Sequence, residues 1–574
     1  MTTRRLLLLA TLAGCARAPL APPAAVAPRR ADSVAFESYV TAYLAGGRGR
    51  AATGDSLPAF LAGLAAEAPR RAARRAAEQL VELRRIDTAG LTGAQRVDWL
   101  LLESQLKRTV YDTILRTPER VPGRYLTLGD LYWRVAGVGG DRPPTERDWA
   151  DVRQSLERAP QAMALGRRQL HAPPPLWTRL ALSTARSYAA FLRGEYRTRL
   201  ALAPDSLRGS LQLTGEQAAA ALDGFAAFLQ DTLAPGPDDS WAAGRAYYDW
   251  VLRDVNFLPM DAAGMIAAGR QIHEATKAAL DSLAQRLRPG TPWRTLVTEM
   301  QGRHPEPGRI TDAYRRHSDR VHALLQREAL ITIPARESLT FVPTPPQLRE
   351  TYAWGGYGGI TVRDSVQVGR FFVTDVVPSM TPEQVAEKLR TQNDGWIPVI
   401  ALHEGYPGHH LQQVYAHTNP RRVRRGGVGG NTYYGEGWAL YAEHWMARVG
   451  LFDTPDAQLG QLQMRLWRTA RVIIDPSLHT GAMSYEQAVR FFMDEVGLER
   501  SAAEAEVNRF TTWPTQAPSY IIGWLEIERL ERDVRAALGS RFNHRQFVER
   551  VLEAGPLPPL LMRRVVLESY GLAS

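Results

Sequence analysis

The chain is nearly without cysteine and nearly without lysine. Cys15 is the only cysteine among 574 residues, so no disulfide can form within one copy, even in a compartment that would permit one. Lysine stands only at 107, 277 and 388, and arginine carries almost all the positive charge. The formal charge is +10. Acidic residues are nearly as numerous as basic ones and are mixed among them, and no nucleic-acid-binding module is recognisable, so no nucleic-acid partner is expected. No internal repeat is visible. The apolar run Leu6 to Leu12 is far short of the roughly 20 residues that a membrane-spanning helix needs. What is present is ordinary: 45% apolar and 23% charged residues allow a sizeable core and exclude wholesale disorder. The length suits one large domain or a few ordinary ones.

The N-terminus reads as an address. Arg4 and Arg5 precede the run Leu6–Leu12, the layout of a secretory signal. Leu12-Ala13-Gly14-Cys15 then resembles a bacterial lipobox, which implies cleavage before Cys15 and lipidation of that residue. Several acyl chains anchor stably, since each buried CH₂ contributes about 0.8 kcal/mol. Residues 1–14 are therefore expected to be a signal peptide, and 15–33, rich in Ala and Pro, a tether. The expected location is the cell envelope, lipid-anchored to a membrane and facing the periplasm or the cell exterior. Ala16 gives no acidic retention signal, which favours the outer membrane in a host with two.

From about residue 34 the pattern is helical. Capping boxes are expected at Thr92…Gln95, Thr214…Gln217, Thr381…Gln384 and Ser484…Gln487, each followed by apolar residues at three- and four-residue spacing. Strand signals are few and fall at 330–343 and 359–377. The Pro- and Gly-rich joints near 137–144, 172–175, 234–238 and 303–308 read as loops. The expectation is a mainly α unit with a deep cleft and a small β-sheet beside the site helix. An N-terminal helical half (34–325) and a catalytic half (326–574) would form one continuous unit. The run Arg421-Arg422-Val423-Arg424-Arg425 reads as a solvated loop, or more sharply as a contact for anionic lipid or an acidic substrate. Glu103 and Lys107 read as a helix-surface pair, the tryptophans as core anchors, and His417 and His444 as surface or packing residues.

The chemistry gathers in Trp396–Gln412, WIPVIALHEGYPGHHLQ, where an apolar run leads into His403-Glu404. A hydrolytic zinc site needs about three protein ligands and an open position for water, with a carboxylate nearby to take the water's proton. In the H-E-x-x-H pattern the two imidazoles lie one turn apart, but position 407 here is Pro. On an unbroken helix His410 would lie beneath His403 but about 10 Å along the axis, and His409 would point away. Pro407 and Gly408 predict a bulged or broken helix that returns one of the pair to the metal.

His403-Glu404-x-x-Pro407-Gly408-His409 resembles the signature of the bacterial family catalogued as domain of unknown function 885. That family is itself similar, distantly, to the thimet-oligopeptidase and carboxypeptidase Taq zinc peptidases, whose site helix reads H-E-x-G-H. The resemblance implies His409 as second ligand, with His410 as alternate. Gly435-Glu436-Gly437-Trp438-Ala439-Leu440-Tyr441-Ala442-Glu443 matches a further family segment, and implies Glu436 as third ligand. Glu443 is the alternate, or a partner for a ligand histidine. The stretch Arg471…Asp475…His479 and Tyr520 also resemble family positions. They imply a proton-sharing Asp475–His479 pair and an oxyanion stabilised by His479, Arg471 or Tyr520.

The expected function is zinc-dependent hydrolysis of short peptides, with one Zn²⁺ on His403, His409 and Glu436 and with Glu404 as general base. Two alternatives stand beside it. One is a zinc hydrolase of a non-peptide amide or ester; the other is a lipoprotein that binds metal or protein without turnover.

Overall fold

A computed structural model of the chain describes residues 30–46, 56–136, 144–345, 349, 354–363, 365–377, 380–425 and 430–573. The signal segment, Cys15 and most of the tether lie outside the described residues, as does nearly all of the 137–144 joint. The protein is mainly α-helical, with one three-stranded sheet among the described residues. The first helix, Arg30–Gly46, begins inside the segment expected as tether.

Helices start where the chain supplies a cap. Thr92 with Gln95, Thr381 with Gln384 and Ser484 with Gln487 form reciprocal capping boxes, opening Gly93–Tyr111, Pro382–Thr391 and Tyr485–Phe491. Thr214 does not cap. It lies midway along Asp205–Ala227, and its hydroxyl donates to the Ser210 carbonyl at 2.9 Å. Leu211, Ala218 and Leu222 are buried on that helix, so the apolar face runs through Thr214 and the helix starts upstream of it. A further box, Thr145 with Asp148, opens Glu146–Gln169; its N3 residue is Asp, which a search for Gln passes over.

The strands are β1 (Glu337–Pro343), β2 (Gly355–Arg363) and β3 (Val366–Val373), ordered β1-β3-β2. β1 runs parallel to β3 and β2 antiparallel to it. The first expected strand is shorter than its sequence signal, because Arg336 takes φ 70 and the ladder opens at Glu337. The second divides into β2 and β3 at a turn that includes Ser365 (φ 67). β2 also begins four residues earlier than expected, inside Gly355-Gly356-Tyr357-Gly358-Gly359, where missing side chains leave no alternation to read. β2 is an edge strand.

Packing does not divide at 325/326. One core joins Val97 and Leu101 to the helices around 262–327, to the site helices and on to Leu567. Helix Ala262–Leu287 lies along Pro455–His479, and Ile310–Arg327 lies against Trp396–Glu404. A second core is built from residues between Tyr125 and Leu229. Two residues of the arginine run, Arg421 and Arg424, form an internal staple, while Arg422 and Arg425 are exposed. Arg421 Nε and Arg424 Nε lie 2.5 and 2.6 Å from the two oxygens of Asp98, which is fully buried. Arg421 also pairs with Glu37 at 2.9 Å.

Candidate metal centre

Helix Trp396–Glu404 stops one residue after His403, and His409 opens helix His409–Thr418. The kink expected at Pro407-Gly408 is a complete break across Gly405-Tyr406-Pro407-Gly408, with a cis Tyr406–Pro407 peptide. Pro407 has no N–H with which to continue the ladder. Gly408 closes the turn by donating to the Leu402 carbonyl at 3.2 Å. A Cβ on Gly408 would stand 2.0 Å from the His403 carbonyl oxygen, so only glycine permits this return. Trp438 Nε1 donates to the Pro407 carbonyl at 2.8 Å and ties the break to helix Thr432–Arg448. The rings of His403 and His409 end with centroids 4.8 Å apart, nearly perpendicular.

Glu436 comes from helix Thr432–Arg448, which is capped by Asn431. That helix meets Ser519–Leu538 glycine to glycine. A Cβ on Gly437 would lie 2.4 Å from the Gly523 carbonyl carbon, and one on Gly523 would lie 1.9 Å from the Tyr433 carbonyl oxygen. The close approach sets Glu436 in the same cleft as Tyr520. Glu436 Oε2 lies 3.1 Å from His409 Nε2 and 3.5 Å from His403 Nε2. One ligand atom from each of the three residues falls within 4.8 Å of the others. Ligands about 2.0–2.1 Å from one ion in tetrahedral array stand roughly 3.4 Å apart, so the donor set and its spacing fit a small divalent cation.

The supporting atoms suit the same role. His403 Nδ1 lies 2.8 Å from Glu443 Oε1, and Glu443 is fully buried and paired with Arg468 at 3.1 Å. A proton held on Nδ1 by Glu443 leaves the Nε2 lone pair facing Glu436. Burial works against protonation of His403, but Glu436 and Glu443 outweigh it and raise its pKa to about 9. Burial likewise works to raise Glu436, yet the two imidazoles hold it well below the usual carboxylate range. A cluster that attracts a proton this strongly offers a divalent cation the same negative charge. Gln516 Nε2 donates to Glu436 Oε1 at 3.2 Å, and Arg509 donates to Gln516 Oε1 at 2.9 Å. Neither Gln516 nor Arg509 was marked by the sequence, since no spacing distinguishes them from other polar residues.

The cluster opens on a cleft of about 970 Å³. Glu404 lines it half-buried and, among the described residues, forms no hydrogen bond. Tyr520 stacks on His403 with centroids 6.0 Å apart. Burial and Glu436 raise the Tyr520 pKa against Arg509 and Arg471, which keeps its hydroxyl protonated. Gly355, Gly356, Tyr357 and Ile360 bring the β2 edge to the cleft. The tryptophans divide: Trp149, Trp396 and Trp438 are core, whereas Trp354, Trp467 and Trp513 line the cleft. His417 is exposed at the cleft, and His444 is half-buried, stacked on Trp524 with ring centroids 4.1 Å apart.

Other expected residues lie elsewhere. His410 is turned from Glu436 toward β1: its Nε2 meets Glu337 Oε2 at 2.5 Å and its Nδ1 meets Tyr357 OH at 2.9 Å. His479 does not line the cleft. Its Nδ1 accepts from Ala243 N–H at 3.2 Å, so Nε2 carries the proton and faces the Phe510 carbonyl at 3.1 Å. Both ring nitrogens are thus committed to backbone, which rules out the expected oxyanion role. Asp475 Oδ1 is 3.9 Å from that Nε2, too far to share a proton; its other oxygen accepts from Tyr248 OH and Thr515 N–H. Arg471 lines the cleft, but its guanidinium is packed between Trp467 and Tyr520, with Cζ 4.2 and 4.4 Å from the ring centroids.

No curated protein matches this sequence. Two solved structures share the fold. One, described as a "putative lipoprotein of unknown function" from Shewanella oneidensis, aligns with TM-score 0.70 at 19% identity over 93% of this chain and 99% of its own. The other, described as the "putative lipoprotein" from Colwellia psychrerythraea, aligns with TM-score 0.75 at 16% identity over 94% of this chain and 99% of its own. A family model described as bacterial protein of unknown function (DUF885) matches residues 51–566, a span that includes the broken helix, the Glu436 helix and Tyr520, and the chain belongs to that family.

Proposed function

We propose that the protein is a metal-dependent hydrolase of short peptides, holding one zinc ion on His403, His409 and Glu436. The observation that carries the reading is the convergence of these three side chains from either side of a helix break and from a separate helix, with the unpaired Glu404 carboxylate in the same cleft. When bound, the ion would lower the pKa of a water and polarise a carbonyl oxygen. Glu404 accepts the water proton as the water oxygen bonds to the carbonyl carbon. It returns that proton to the nitrogen as the C–N bond breaks. Tyr520, kept protonated, donates to the carbonyl oxygen as negative charge develops there. Glu443 and Arg468 orient His403, and Gln516 with Arg509 orients Glu436. The β2 edge at the cleft suits an extended peptide, because free main-chain groups of an edge strand pair with another backbone.

The lipobox-like Leu12–Cys15 and the lipoprotein descriptions of both structural neighbours support an envelope location with a lipid anchor. The test is metal analysis of Cys15→Ala protein, joined to peptide-library cleavage by the same protein and by its Glu404→Gln form. The expected result is one zinc per chain in both. Cleavage in Glu404→Gln should fall by about 10²–10⁴-fold. Glu436→Gln should lose the metal. Folded protein that takes up no divalent ion sinks the reading. Metal without peptide cleavage moves the function to another amide or ester, or to binding alone.

A further inference from the structure

The wall beside the metal-ligand cluster is short of one anion. Arg468, Arg471 and Arg509 line the cleft, and among the described residues their carboxylate ion-pair partners are Glu443 and Glu506 alone. Glu443 is shared with His403. Glu506 is shared among Arg471 at 2.8 Å, Arg509 at 3.3 Å and Trp467 Nε1 at 3.1 Å. Arg471 is 3% exposed, and among the described residues its Nη1 has no hydrogen-bond partner. A guanidinium carries five donors and a permanent charge, and burying it with donors unmet is unfavourable unless an anion completes the set. Two flat aromatic faces hold it rigid, which suits recognition of a planar carboxylate.

We propose that the Arg471 cluster seats the free C-terminal carboxylate of the peptide substrate, so that the protein cleaves close to the C-terminal end. This rests on the hydrolase reading above. Tyr520 supplies the ruler. Its ring is 4.4 Å from the Arg471 guanidinium carbon and 6.0 Å from the His403 ring. Arg471 is therefore no further from His403 than those two spans end to end. An extended residue covers about 3.3–3.6 Å. A carboxylate held at Arg471 places the scissile bond within about three residues of the terminus. The β2 edge, in the same cleft, is available to the upstream backbone.

The experiment titrates N-acetyl-trialanine, as free acid and as C-terminal amide, into zinc-supplied full-chain Glu404→Gln protein by calorimetry. The free acid should bind at least about tenfold tighter, and Arg471→Met should erase the difference. If that variant fails to fold, the acid–amide comparison decides without it. Equal affinities, or no binding of the free acid, overturn the proposal. Wild-type protein that hydrolyses acid and amide with equal kcat/KM overturns it while leaving the hydrolase intact. Acid-selective binding by a protein that cleaves no peptide keeps the carboxylate seat and removes the hydrolase.

Discussion

His403 and His479 are both buried imidazoles, and their neighbours drive them in opposite directions. Two carboxylates override burial at His403 and raise its pKa to about 9. At His479 burial dominates and lowers it to about 4, with only the Phe510 carbonyl opposing. The first ring lies in the proposed metal cluster; the second is a neutral brace between the backbone at Ala243 and Phe510. The unfolded chain takes up a proton at His479 near pH 6.5, whereas the folded protein resists until about pH 4. Between those values the unfolded state binds more protons, so the stability from the neutral ring is complete above pH 6.5 and is lost as pH falls toward 4. The span corresponds to about 3 kcal/mol. His479→Gln retains a donor and an acceptor without the titration. Thermal melts should show the gap between wild type and variant changing in favour of the variant from pH 7 to pH 4.5. A constant gap would mean that the ring does not titrate between those limits.

At the scale of the element, the contact between helices Thr432–Arg448 and Ser519–Leu538 decides whether Glu436 reaches the histidines. Gly523→Ala would drive a methyl group into the Tyr433 carbonyl oxygen, a backbone atom that cannot turn aside. Helix propensity favours alanine by up to about 1 kcal/mol, but overpacking costs about 1–3 kcal/mol and is expected to win. Gly435→Ala in the first helix meets only Gln412 Nε2, at 3.8 Å, so propensity wins there. Melts should therefore move in opposite directions, and zinc affinity should fall only for Gly523→Ala. Gly437 and Gly523 stand in plain view in the sequence, yet nothing in their spacing says that they face each other. The sequence is most legible where one residue type has one local use. Thr92, Thr381 and Ser484 announce caps, and Pro407-Gly408 announces the break before His409. It is least legible where the partner is distant. The brace on His479 comes from 236 residues away. The Gln516–Arg509 support of Glu436 and the glycine-rich start of β2 carry no periodic signal.

At the scale of the molecule, Asp98 joins the N-terminal helices to the part of the chain that holds the proposed metal ligands. It lies on helix Gly93–Tyr111, fully buried, and its two oxygens are divided between Arg421 and Arg424. Arg424 is itself buried and also donates to the Ala554 and Ala94 carbonyls. The segment bearing both arginines follows helix His409–Thr418 directly, so the staple anchors the chain just beyond the helix that His409 opens. Asp98→Asn would keep the shape and leave two guanidiniums facing a neutral amide. Removing one partner of a buried ion pair costs about 3–5 kcal/mol, a large share of the roughly 5–15 kcal/mol that holds a domain folded. One core runs from Val97 to Leu567, so the loss should not be confined to the N-terminal helices. Urea unfolding of Asp98→Asn, followed both by tryptophan fluorescence and by zinc release, should show the two signals moving together to lower urea. The core between Tyr125 and Leu229 is the part able to separate from that transition. Zinc retained after the fluorescence change would show that the metal centre is held by the C-terminal helices alone, and that the arginine staple is a surface attachment rather than part of the frame around the cleft.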